Sequence, residues 1–135
     1  MRTRLAALTV ACLLARAAGA QSPPHRPATI TPAGTWRGTS LCLVRPSSCN
    51  DEVVVYRIAS TKAPDSLTVD ARKIVNGAEE EMGVLACRFS PPTGTLTCAI
   101  PRGTWDFRVR NDSLVGELRL ADKTKFRDVR TARVP

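Results

Sequence analysis

Five cysteines are the residues of this chain best suited to chemistry: Cys12, Cys42, Cys49, Cys87 and Cys98. Cys12 sits inside an apolar run behind a basic start (Arg2, Arg4), and Ala18-Gly19-Ala20 offers small residues to a signal peptidase just before Gln21. That three-part order is an export signal over residues 1–20, and the run is too short for a bilayer-spanning helix. Its removal leaves four cysteines, and an even number in an exported chain points to disulfides. Of the three pairings open to them, the local one, Cys42 with Cys49 and Cys87 with Cys98, closes two short loops. Zinc needs tightly spaced ligand pairs. Gaps of six and ten residues, with the single histidine far away at His25, do not supply them, so neither a metal nor another cofactor is expected.

Catalytic sets are equally hard to assemble. With His25 near the start of the mature chain and no free thiol expected, no serine or cysteine has a base beside it. Paired-carboxylate chemistry needs two acids facing across a cleft, and the scattered acids nominate no pair. Glu79-Glu80-Glu81 and Asp51-Glu52 read as solvated charge, because hard cations need ligands that converge from several directions. The chain is read as a non-enzyme.

Charge narrows the partners. Losing residues 1–20 removes three arginines and no acid, which leaves 17 bases against 12 acids; residues 101–135 hold nine of those bases and five of the acids. A basic last third raises the question of nucleic acid, whose single strands stack on aromatics inside a positive groove. On any strand, however, Trp105 and Phe107 point away from Arg108 and Arg110, so the two halves of such a site face apart. No nucleic-acid partner is expected, and an anionic envelope or an acidic partner suits the basic wall better.

The elements that must position these residues are strands. Residues 21–33 form a leader with prolines at 23, 24, 27 and 32, which deny both helix periodicity and ladder donors. From residue 34 onward, short alternating segments recur at about ten-residue intervals between turn signals: 34–44, 52–60, 66–75, 79–89, 95–100, 104–110, 113–120 and 125–134. Asn76-Gly77 suits a two-residue hairpin, and Pro91-Pro92-Thr93-Gly94 presets another turn. Trp105, Phe107 and Val109 alternate with Asp106, Arg108 and Arg110, so one face is core and one is wet. Leu114, Leu118 and Leu120 repeat the pattern, with Gly116 permitting a bend or a close approach. The fold class is all-β, an eight-stranded antiparallel up-and-down meander over residues 34–135. Closing it into a small barrel removes its edges.

Gly34-Thr35-Trp36 opens the first strand. This G-x-W start, the meander and the arginine-rich last strand resemble the lipocalin-like and avidin-like barrels of the calycin group. The resemblance implies that Trp36 packs across a closed barrel end under an arginine, Arg127 or Arg130. The chain also resembles small exported bacterial proteins of unknown function that carry Gly34-Thr35-Trp36, Cys42, Cys49 and then Asp51-Glu52-Val53-Val54-Val55-Tyr56. Two functions are consistent with this reading, a ligand binder in the first place and an interaction module as its alternative. One is an exported, periplasmic or extracellular barrel that binds a small apolar or amphipathic ligand through Trp36, Trp105, Phe107, Leu114 and Leu118. The other is a protein-interaction module with a packed interior, such as an inhibitor of a protease or a lysozyme, acting through the stapled loop Leu43 to Ser48. They differ in one quantity, since a ligand binder needs an interior void of about 300 Å³ or more. A monomer is expected in either case.

Overall fold

Left-handed residues stand in five of the seven links that turn the chain back on itself. In the computed structural model, which describes residues 30–135, the strands are β1 (Gly34–Cys42), β2 (Glu52–Ser60), β3 (Ser66–Val75), β4 (Ala78–Ser90), β5 (Thr95–Ile100), β6 (Gly103–Arg110), β7 (Ser113–Leu120) and β8 (Lys125–Val134). Asn76 and Gly77 take φ values of 50° and 81°, the mirror-image turn that matches strand twist. Asn111 (52°) and Lys123 (73°) each place a single left-handed residue in the β6–β7 and β7–β8 links. The expected export signal and most of the leader lie outside the described residues.

Every neighbour pairs antiparallel, and β1 pairs with both β2 and β8, so the meander closes into a barrel. All eight expected strands are present. The first ends at Cys42, where the disulfide loop begins, instead of running on to residue 44, and β4 extends to Ser90. Among the described residues no helix is long and apolar enough to cross a membrane.

Alternation sends one face of each strand inward. Trp36, Val54, Tyr56, Val69, Leu96, Phe107, Leu114 and Val129 are each no more than 3% exposed. Eight strands make a barrel just wide enough for such side chains to fill. Phe107 lies at the centre, edge-on to Tyr56 (5.7 Å) and stacked on Trp105 (5.6 Å, 5° between planes). Gly116 faces Phe107 across the β6–β7 ladder, and a Cβ there would lie 2.3 Å from the Phe107 ring. The close approach expected at this glycine is therefore made by an aromatic ring that occupies its missing side chain.

Two bulges re-aim residues. One lies in the β3–β4 ladder at Ala71/Arg72, the other in the β7–β8 ladder at Leu118/Arg119. The second bulge sets Lys125 against Arg119 and Arg127 against Leu118. An extra residue reverses the side to which later side chains point. Lys125 consequently meets the outward carboxylates Glu117 and Asp128, whereas Arg127 turns into the barrel.

Candidate functional site

The barrel end at Trp36 is closed. Trp36 is fully buried, its Nε1 donates to the Pro32 carbonyl (2.8 Å), and the guanidinium above its ring, 4.2 Å from the centroid, is that of Arg133. Arg133 also donates to the carbonyls of Ala33 (2.6 Å) and Thr31 (2.8 Å), which straps the incoming chain over the end. Gly34 makes room for this, with φ at 131° and an added Cβ only 2.5 Å from an Arg133 nitrogen. The expected assignment of Arg127 or Arg130 to this place is thus corrected. Trp36 lies near the start of β1 and the antiparallel register sets it opposite Arg133, while Arg130 faces Thr39 and Arg127 faces Cys42.

At the opposite end, a row of inward positions crosses five strands: Cys98, Trp105, Leu118, Arg127 and Cys42 on β1. Both disulfides join this row, Cys87–Cys98 from β4 and Cys42–Cys49 from the loop after β1. Their pairing is the local one. Arg127, with its side chain 13% exposed, pairs with Glu52 (3.2 Å) and donates to the Ser40 hydroxyl (3.1 Å) and the Asn50 carbonyl (3.2 Å). A guanidinium largely withdrawn from water needs such a full set of acceptors. Burial pushes the neighbouring Tyr56 phenol far above its ordinary range, against the opposing pull of the Arg127 charge, so it stays neutral.

Arg127 thereby ties the barrel interior to the stapled loop. Asp51 holds the loop from its other flank. Its Oδ1 accepts from the Cys42 N–H (2.8 Å) and from Arg45 (3.0 Å). Within the loop the Ser47 hydroxyl donates to the Val44 carbonyl (2.6 Å) and accepts from the Cys49 N–H (3.2 Å), while the Leu43 N–H donates to the Phe126 carbonyl (3.0 Å). Leu41, Leu43 and Val53 remain 40%, 46% and 41% exposed around this fixed loop.

The five expected ligand contacts all face the interior, but not as one surface. Trp36 and Leu114 belong to the closed end, Trp105 and Leu118 to the mouth, and Phe107 fills the space between. Three clefts, of about 500, 520 and 420 Å³, open on the outside of the barrel and at its rims. Among the described residues no group of three or more His, Cys, Asp or Glu side chains is placed to hold a metal ion. Glu79 pairs in bidentate fashion with Arg57 (2.8 and 3.0 Å), which holds its carboxyl below the usual range.

Sequence reading missed Arg133, the Arg127–Glu52 pair and the double role of Asp51. Only the Asp51-Glu52 pair at the loop exit offered a signal for the last two.

Fold and site define a class: a small, closed, eight-stranded meander barrel with a disulfide-stapled loop at its mouth. Comparison with protein-family models, curated proteins and solved structures finds no match.

Proposed function

We propose that this chain is an exported, non-catalytic protein-interaction module of the enzyme-inhibitor kind, built on a calycin-type barrel. The observation that carries this reading is the filled interior, in which Phe107, Tyr56 and Trp105 pack together where a lipocalin-like ligand would sit. The calycin assignment draws support from the G-x-W start and from the arginine that covers Trp36. Two disulfides suit an oxidising, exported setting.

The contact surface in this reading is the loop from Leu43 to Ser48 with its apolar flanks, Leu41 and Val53. A loop held in one shape before binding loses little entropy on association, which is how rigid inhibitors reach high affinity. The test is titration of a panel of lysozymes and serine proteases with the oxidised protein. Stoichiometric inhibition of one enzyme, lost in Leu43→Asp, supports the reading. Absence of inhibition across the panel, together with a small molecule carried in the barrel, overturns it in favour of ligand transport.

A further inference from the structure

The outer wall of β6, β7 and β8 carries charge in stripes. One cross-strand row reads Thr95, Arg108, Val115, Arg130 and Thr39, and the next reads Thr97, Asp106, Glu117 and Asp128. A groove of about 500 Å³ runs over both. Beyond the acidic row lie Arg119 and Lys125.

The acids of this groove are already satisfied. Asp106 accepts from the Thr97 hydroxyl (2.8 Å), Glu117 pairs with Arg119 and Lys125, and Asp128 pairs with Lys125 (2.8 Å). The bases of the adjoining row are not. Among the described residues Arg108 has no ion-pair partner, and Arg130, with a side chain 77% exposed, makes one bond of 3.3 Å to Asp128. These two guanidinium groups flank Val115, itself 40% exposed. Their strands lie on either side of β7, about 10 Å apart at the backbone, a span that two long side chains close from both sides over a single carboxylate.

We infer that this groove is a docking site for an acidic segment of a protein partner, whose carboxylate side chain sits over Val115 between Arg108 and Arg130. The inference rests on the interaction reading above and names a second contact surface for it. The stripes select a protein over a continuous polyanion. A nucleic-acid or sulfated-sugar backbone crossing the groove must run its charges over Asp106, Glu117 and Asp128 as well, whereas a protein surface can match each stripe with the opposite sign.

The probe is a capped Glu-Gly-Lys-Gly-Glu peptide, whose alternate side chains match the basic, acidic and basic rows in turn, titrated into ¹⁵N-labelled oxidised protein and followed by amide shifts. Saturable shifts are expected at Thr95, Arg108, Val115 and Arg130. Loss of each charge-assisted bond weakens binding by about tenfold or more, so Arg108→Gln/Arg130→Gln should abolish the shifts while Lys62→Gln/Arg102→Gln leaves them intact. Both arginines are exposed, and thermal unfolding of the double variant checks that the fold is kept. Shifts that fall elsewhere, or that persist in the double variant, overturn the site. Equal binding of a sulfated oligosaccharide in the same groove overturns the assignment to protein. Neither failure touches the stapled loop, which the enzyme titration with Leu43→Asp examines separately.

Discussion

Replacing Arg127 by methionine tests whether the mouth of the barrel is held by a partly buried ion pair. The substitution keeps a long unbranched chain at the position but removes the charge and its donors, leaving Glu52 with its side chain 21% exposed and without its cation. Breaking a fully buried pair by removing one partner costs about 3–5 kcal/mol. Partial exposure of both groups brings the expected loss to about 2–4 kcal/mol. Neutralising the stranded acid should restore much of this, so Arg127→Met/Glu52→Gln should be more stable than the sum of the two single losses by about 1–3 kcal/mol. The assay is equilibrium urea unfolding of the oxidised proteins, with amide exchange at residues 43–50 as a second readout. Because Arg127 also donates to the Asn50 carbonyl, exchange in the loop should rise in the single variant. A loss under 1 kcal/mol, or strict additivity in the double variant, would refute the reasoning.

Further outcomes follow from the same geometry. Arg133→Gln removes the cation over Trp36 and two bonds to the strap, so it should cost about 1–3 kcal/mol, while exposed Arg130→Gln should stay within about 0.5 kcal/mol; urea midpoints of the two variants decide between them. Gly116→Ala forces the Phe107 ring to move and should cost about 1–3 kcal/mol, visible as a lower melting temperature and an altered near-ultraviolet circular dichroism of the Trp105–Phe107 stack. For pH, Asp128 is held below the usual carboxylate range by its hydrogen bond from Lys125, and Glu117 is held low by Lys125 and Arg119 despite the opposing effect of burial. A depressed carboxylate contributes stability above its unfolded pKa and loses it as pH falls through the folded one. Stability should therefore fall from about pH 4 downward, and Asp128→Asn should flatten that slope; an unchanged slope would contradict the pairing.

Much of the fold was legible because its information is local. Asn76-Gly77, Asn111-Asp112 and the Pro91-to-Gly94 turn each fix a hairpin from a few residues, and Trp105-Asp106-Phe107-Arg108-Val109 declares its two faces without reference to the rest of the chain. The local disulfide pairing was legible for the same reason. What escaped depends on closure. The partner of Trp36 is set by the register of the first strand on the last, which no turn encodes, and so Arg133 could not be told from Arg127 or Arg130. The bulge at Leu118/Arg119 reverses the facing of Arg127 relative to Lys125. A charged residue two positions from another charged one reads as the same wet face until that extra residue is seen. Glu52 looked solvated because its buried cation lies on the strand at the far end of the sequence.

An interaction module needs no interior void, whereas a ligand carrier does. A native mass spectrum of the protein purified from the cells that make it, compared with the denatured species, tests this most directly. The expected species is the bare oxidised chain, four hydrogens lighter than the fully reduced one because of its two disulfides. A small molecule that remains bound in the native spectrum and leaves on denaturation would contradict the interaction reading.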